Sequence, residues 1–324
     1  MNFTVKNLLK NTHIQTSYAT LFRKPFLKNF EIEKFILSDG DFIEIYWHNK
    51  PKTDRQTPIV ILFHGLAGSY NSPYIQGTIN ELNKNNFACV VVHFRGCAGQ
   101  DNLLARSYHS GETDDNLEYI QYLQKIFPNS KLFCVGFSLG GNMLLKLLGE
   151  LKQNTLITAA ISVSAPMQLD ISAKTINSGF SKFYQKRLLN DLKKALLRKC
   201  KRHDLEKLIN LKQDAIKNIQ TIKEFDELYT APIHGFASAD DYYMKCSSKQ
   251  FLKDIKTPTL IIHAKDDPFM STDILPQQNE ISKYITLEIS ENGGHVGFIQ
   301  GNLFKPIYWL EKRITKYFLN YLRA

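Results

Sequence analysis

Residues 132–148 restrict the fold more than any other part of this chain. Leu132-Phe133-Cys134-Val135 is an apolar strand candidate, Gly136-Phe137-Ser138-Leu139-Gly140 is a glycine-flanked serine, and Asn142-Met143-Leu144-Leu145-Lys146-Leu147-Leu148 opens a helix. A strand that runs straight into a helix needs a sharp turn. Glycines on either side, lacking Cβ, let that turn close and let the helix pack near the sheet. The turn lifts the Ser138 hydroxyl into the open and aims a helix N-terminus at it. The plainer alternative is a Gly-rich turn with a capping serine, but the strand–turn–helix context favours an exposed nucleophile.

The rest of the chain repeats the same alternation. Strand candidates cover residues 31–37, 42–47, 59–64, 88–93, 131–136, 159–164, 259–263 and 285–289. Ile59-Val60-Ile61-Leu62-Phe63 and Cys89-Val90-Val91-Val92 are continuous apolar runs, which suit parallel strands covered on both faces. Ser38-Asp39-Gly40-Asp41 reads as a hairpin turn, so the first two strands are expected to be antiparallel. Thr113 can cap a helix carrying Asp114 and Asp115 in its first turn and Leu117, Ile120 and Leu123 on one face. Leu310, Ile314, Tyr317, Phe318 and Tyr321 line a face of the last helix.

From about Met167 to Tyr229 no strand is legible. Leu189, Leu192 and Leu196 share one helical face, and Leu205, Leu208, Lys212, Ile216 and Ile219 suggest a second helix with one polar break. The expectation is an α/β-hydrolase fold: a mostly parallel eight-stranded sheet, helices on both faces, and a helical cap inserted after the sixth strand. The core would comprise residues 1–166 and 231–324, and the cap residues 167–230.

Composition is that of an ordinary globular protein, with 43% apolar and 22% charged residues in 324. No apolar run reaches the ~20 residues of a membrane-spanning helix. The first twenty-odd residues are broken by Lys6, Lys10, Asn11, Thr12, His13 and Gln15 and lack the pattern of a secretory signal. Five scattered cysteines show no CxxC pair or metal-ligand spacing. A cytoplasmic protein with reduced thiols is expected. The net charge of +10 is uneven, since residues 179–223 hold thirteen Lys/Arg against four Asp/Glu. That balance invites association with an anionic membrane surface through the basic cap, against the plainer reading of a solvated polar helix face. A nucleic-acid role has no motif behind it, and the basic stretch has few aromatics for base stacking.

A serine hydroxyl needs a base to attack at neutral pH. Among nine histidines, His295 stands out in Asn292-Gly293-Gly294-His295-Val296-Gly297. That loop follows the last strand and precedes the last helix, so His295 can reach over the sheet's C-terminal edge toward Ser138. The base needs a carboxylate to fix its tautomer. Asp266 and Asp267 both follow the strand at 259–263. Asp267, further from the strand end and next to Pro268, is preferred, and Asp266 is read as a turn or hydrogen-bonding residue. An oxyanion needs preset donors: the Leu139 N–H, just after the serine, and the Leu66 N–H in His64-Gly65-Leu66-Ala67-Gly68. His64 is read as a brace for that loop. Arg95 could hold a substrate anion or, by preference, tie loops together. No metal or nucleotide motif is legible, and no cofactor is called for.

Several longer motifs point the same way: His64-Gly65-Leu66-Ala67-Gly68-Ser69 with Asn71-Ser72-Pro73-Tyr74, His93-Phe94-Arg95-Gly96-Cys97, Tyr108-His109-Ser110-Gly111-Glu112-Thr113, and Gly136 to Asn142. Downstream stand Ser164-Ala165-Pro166, His263 to Phe269, and Gly293 to Phe298, with Asn11-Thr12-His13-Ile14-Gln15-Thr16 near the start. In this order they resemble the YheT-like group of α/β-hydrolases, within the fourth AB-hydrolase family. The resemblance spans nearly the whole chain. It implies a serine esterase with Ser138, Asp267 and His295 as its triad, acting on small-molecule esters or lipids, with acylglycerols or phospholipids as substrates in eukaryotic relatives. The competing reading is a non-catalytic binding protein that keeps the fold.

Overall fold

Eight strands form one sheet in the order β1-β2-β4-β3-β5-β6-β7-β8. They are β1 (Glu31–Ile36), β2 (Phe42–His48), β3 (Ile59–Phe63), β4 (Ala88–Val92), β5 (Leu132–Phe137), β6 (Ile157–Val163), β7 (Thr259–Ala264) and β8 (Ile285–Ser290). The β1/β2 and β2/β4 pairs are antiparallel, and all the others are parallel. This is a computed structural model, and it describes residues 3–5, 7–53 and 56–322. Met1, Asn2, Lys6, Asp54, Arg55, Arg323 and Ala324 lie outside the described residues, and with them the extreme ends of the expected core segments.

The continuous apolar runs are explained by burial on both sides. Ile59, Ile61 and Phe63 of β3 join one apolar cluster while Val60 and Leu62 join the other, as the two-residue period of a strand requires. Each such side chain contributes ~1.5–3 kcal/mol on burial. On one face lie α3 (Asp114–Ile126) and α4 (Leu139–Leu151), through Ile120, Leu123, Met143 and Leu144. On the other lie α2 (Pro73–Asn83) and α12 (Trp309–Leu322), through Ile75, Ile79, Ile314 and Phe318. The N-terminal helix α1 (Thr12–Phe22) and a small hairpin, β9 (Ile299–Gly301) with β10 (Pro306–Tyr308), complete the core.

Between β6 and β7 come α5 (Leu169–Ile176), α6 (Ser181–Cys200), α7 (Leu205–Ile209), α8 (Gln213–Asn218), α9 (Ile222–Phe225), α10 (Ala231–Ile233) and α11 (Ala239–Cys246). Leu189 and Leu196 of α6 meet Leu205, Leu211, Ile216 and Ile219 in a cluster separate from those of the sheet. Two local expectations fail here. The single helix read through Leu205 and Ile219 is two short ones, because Asn210 adopts the left-handed conformation (φ 56°, ψ 30°) and ends α7. Leu208 consequently stands exposed, and Leu211 is buried in its place. Thr113 precedes α3, but its backbone is already helical (φ −93°, ψ −28°) and its hydroxyl caps nothing. That hydroxyl instead lies 3.5 Å from Lys146 Nζ.

Arg95 ties loops together. It is buried, and its guanidinium donates to Asp115 at 2.6 Å through two nitrogens and to Asp41 at 3.0 Å, with Asp39 at 2.8 Å. Burial would raise the Asp41 carboxyl. Hydrogen bonds from the Asn102 amide and from the Leu103, Phe42 and Leu104 N–H groups outweigh that and hold it below its ordinary value. Lys199 of α6 reaches the same loop, donating to Asn102 Oδ1 at 2.6 Å and to the Leu104 and Arg106 carbonyls. Burial pulls its ammonium down to about 8. One of the thirteen basic residues is therefore a strut inside the protein. Arg95→Met should cost ~3–5 kcal/mol, because it strands buried carboxylates. A urea midpoint equal to wild type would contradict this.

Candidate active site

The β5–α4 turn carries Ser138 at φ +51° and ψ −120°, with its N–H donating to the Val163 carbonyl of β6 at 2.8 Å. A non-glycine residue rarely adopts such a backbone, and the cost is of order 1–3 kcal/mol. Close packing holds it there. A Cβ on Gly140 would stand 2.6 Å from the carbonyl oxygens of both Phe63 and His64, so only glycine lets α4 approach β3.

His295 lies beyond β8 and Asp267 beyond β7, and both meet Ser138. His295 Nε2 is 3.0 Å from Ser138 Oγ, and His295 Nδ1 is 2.8 Å from Asp267 Oδ2. The other oxygen, Asp267 Oδ1, accepts from the Phe269 N–H at 2.8 Å. The Asp267 side chain has no exposure and that of His295 only 10%. Asp266 turns the other way: Oδ1 accepts the Gly294 N–H at 2.9 Å and Oδ2 faces the Asn292 amide at 3.4 Å. It holds the histidine loop and does not touch the imidazole. Burial raises its carboxyl above the ordinary value.

The loop after β3 is arranged by elimination of donors. Gly65 N–H donates to the Tyr74 hydroxyl, Ala67 N–H to the Tyr108 hydroxyl and Gly68 N–H to the Gly65 carbonyl. Among the described residues the Leu66 N–H has no protein acceptor, and neither does the Leu139 N–H at the start of α4. A Cβ placed on Gly65 would be 3.1 Å from Ser138 Cβ, which sets this loop directly against the serine. Two free donors therefore flank Ser138, an arrangement able to stabilise an oxyanion formed there. His64 braces the turn, donating from Nδ1 to the Gly65 carbonyl at 2.7 Å and accepting the Phe94 N–H at Nε2. Burial pulls its pKa down to about 4, so it is neutral and keeps that acceptor.

Other supports have no local signature. The Phe269 ring stacks on His295, with centroids 4.0 Å apart and planes 16° from parallel. Helix α1 clamps the histidine loop: Thr16 Oγ1 accepts the His295 N–H at 3.0 Å, and Gln15 bonds both the N–H and the carbonyl of Ile299. The approach is so close that a Cβ on Gly297 would fall 2.2 Å from the Gln15 carbonyl oxygen. Asn142 donates to the Ser110 and Cys246 carbonyls and joins α4 to the end of α11. The Thr16 and Asn142 positions sit inside the sequence motifs, but their partners do not follow from them: His295 lies 279 residues from Thr16, and Ser110 and Cys246 lie 32 and 104 residues from Asn142.

The serine opens into a cavity of about 640 Å³ whose walls include Leu169, Ile176, Leu188, Phe269 and Met270. Asp226 of the cap also lines it. Burial pushes its carboxyl up to about 6 against the hydrogen bonds of Tyr243 and Thr230. Away from Ser138, His109, Glu112 and His234 bring ligand atoms within 4.8 Å of one another, a cluster whose spread along the chain hid it from spacing rules. Its surroundings are rich in cations. Arg106 already pairs with Glu112, and burial together with Arg106, Arg95 and Lys199 lowers His234 to about 3.

Known proteins resemble this chain in sequence and in fold. A family model described as alpha/beta hydrolase fold matches residues 58–302. "Putative esterase YheT" of Escherichia coli (strain K12) is 43% identical over 97% of this chain and 92% of its own length. The monoacylglycerol lipase of Saccharomyces cerevisiae (strain ATCC 204508 / S288c) is 35% identical over 78% of this chain and 57% of that protein. Among solved structures, an esterase of Pyrococcus furiosus superposes with a TM-score of 0.58 at 14% identity, covering 91% of each chain, and so shares the fold.

Two outcomes follow from the supports. Thr16→Val, which removes the acceptor beneath His295, should lower kcat on a soluble ester by about tenfold with KM little changed. An equal kcat would show that the clamp is idle. Asp226 binds its proton more tightly folded (about 6) than unfolded (3.8). It therefore costs stability as pH rises from about 4 to 6, and the cost persists above that range. Asp226→Asn should raise Tm relative to wild type by a few degrees at pH 8, with no such gain at pH 4. Matched differences at both pH values would refute the assignment.

Proposed function

This chain belongs to the YheT-like group of the α/β-hydrolase fold family, and on that premise we propose that it hydrolyses carboxylic esters through an acyl-enzyme on Ser138. The family is of the esterase and lipase type. The observation that carries the reading is the unbroken hydrogen-bond run from Asp267 through His295 to Ser138.

In the first step Ser138 Oγ attacks the ester carbonyl while His295 Nε2 takes its proton. Asp267 holds Nδ1–H and balances the imidazolium. The carbonyl oxygen, now negative, receives the Leu66 and Leu139 N–H groups. The tetrahedral adduct collapses as His295 returns the proton to the leaving alcohol. A water then enters, His295 deprotonates it, and its attack on the acyl-Ser138 carbonyl releases the acid and restores the serine. All atoms and protons balance, and no cofactor takes part. The apolar wall of the cavity suits an acyl chain, so lipid esters of the acylglycerol kind are the proposed substrates. The monoacylglycerol lipase likeness supports that class. Residues 167–230 act as the cap that shapes the cavity, and 1–166 with 231–324 as the catalytic core. No helix among the described residues is long and apolar enough to cross a membrane. Five free cysteines suit a reducing compartment, and a cytoplasmic location is part of the proposal.

Ser138→Ala should lose at least about a thousandfold in kcat on p-nitrophenyl butyrate. A fluorophosphonate probe should label wild type and not the variant. Unchanged turnover would overturn the mechanism. An unlabelled wild type that still binds esters would mark a binding protein instead.

A further inference from the structure

The mouth of the cavity is bordered by three segments: residues 12–28, which contain α1, residues 177–190, which begin α6, and residues 299–308, the β9–β10 hairpin. Together they hold seven Lys or Arg and no Asp or Glu. Arg23 is tied to Glu311, but Lys24, Lys28, Lys182, Lys186, Arg187 and Lys305 are exposed and form no ion pair among the described residues. Further along α6 the cations are committed instead, Arg198 to Asp101 and Lys193 to the Lys217 and Ile219 carbonyls.

Large apolar side chains stand among these free cations. Leu21 is 68% exposed, Phe22 70%, Phe180 60%, Phe183 66% and Phe304 96%. Side-chain contacts join the three segments into one surface. Phe180 packs on His13 of α1 at 4.3 Å, Phe22 packs on Tyr18 at 4.9 Å, and the Tyr18 hydroxyl donates to the Leu303 carbonyl of the hairpin. Leu21, Arg23, Phe183 and Tyr308 also line the cavity that holds Ser138, so this surface runs into the site without a break. Asp191, one turn beyond Arg187, and Glu311, which holds Arg23, are the acids beside this surface, and they leave the exposed cations in excess. Exposed aromatics set among unpaired cations have the chemistry of a face that sits in the headgroup layer of an anionic bilayer.

We propose that this lip of α1, the α6 N-terminus and the β9–β10 hairpin is a docking surface for anionic phospholipid membranes, through which lipid esters pass to Ser138. The proposal deepens the esterase reading by naming where its substrate comes from. The docking itself does not need a working triad. The basic middle of the cap, by contrast, contributes little, because its cations are partly spent on internal bonds.

The test is sedimentation of the full chain with phosphatidylcholine vesicles with and without phosphatidylglycerol. Wild type should bind the anionic vesicles at low salt, bind neutral ones far less, and detach as salt screens the charges. Phe22→Ser/Phe180→Ser/Phe304→Ser and Lys24→Gln/Lys182→Gln/Lys186→Gln should each lose roughly tenfold in vesicle affinity. None of these six side chains lines the cavity, so both variants should turn over p-nitrophenyl butyrate as wild type does. Ser138→Ala should bind vesicles like wild type. Its loss of turnover with intact binding would separate this proposal from the catalytic one. No binding of wild type to anionic vesicles overturns the proposal. Equal binding by the triple-serine variant, or equal binding to neutral vesicles, also overturns it.

Discussion

A serine whose backbone is forced to a positive φ between a strand and a helix sets the terms for everything else in this structure. Ser138 at +51° is costly by itself, and the cost is met by close contact of α4 with β3 and by the bond from its N–H to β6. Those contacts exist only because β3, β5 and β6 are adjacent and parallel. The same geometry points the α4 N-terminus and its unshared Leu139 N–H at the hydroxyl, and it brings the Leu66 loop alongside. The proposed nucleophile and oxyanion donors therefore arise from one packing decision, and His295 and Asp267 are delivered separately by the loops after β8 and β7.

Loops are the mobile parts of most folds, yet here they must hold an imidazole between two partners at hydrogen-bond distance. The structure solves this with helix α1, which bonds the His295 N–H through Thr16 and both polar groups of Ile299 through Gln15. Asp266 anchors the same loop from the other side, at Gly294. The pair Asp266-Asp267 thus divides its labour: one carboxylate fixes the backbone of the loop, and its neighbour fixes the ring.

Much of this was legible in the chain. Strands covered on both faces, such as Ile59-Val60-Ile61-Leu62-Phe63, announce themselves because every side chain must be apolar. The strand–Gly-x-Ser-x-Gly–helix pattern is legible because it states a geometry locally. Arg95 has the residue type of a tie between loops and acts as one, since three carboxylates meet it. What escaped depends on contacts across the chain or on single backbone choices. The leucine period continues through Asn210, so nothing in it tells that the helix stops there; the left-handed turn does. Thr113 has the right residue type for a cap, but its backbone is already in the helix. The clamp by Thr16, the stacking of Phe269 and the cluster of His109 with His234 pair residues too far apart for any spacing rule.

The segment between β6 and β7 has its own apolar cluster, built from α6 to α9 and distinct from the two that flank the sheet. That cluster shares no buried side chain with the two that flank the sheet, although Lys199 of α6 and Tyr229 still tie it to the loop around Asn102 and Ala105. On the proposed mechanism, selection could then revise which molecules the inserted helices admit with only those few ties to accommodate, while the proposed reactive groups rest on the sheet. Divergence among such proteins should then accumulate in the inserted helices first, with the chemistry inherited intact.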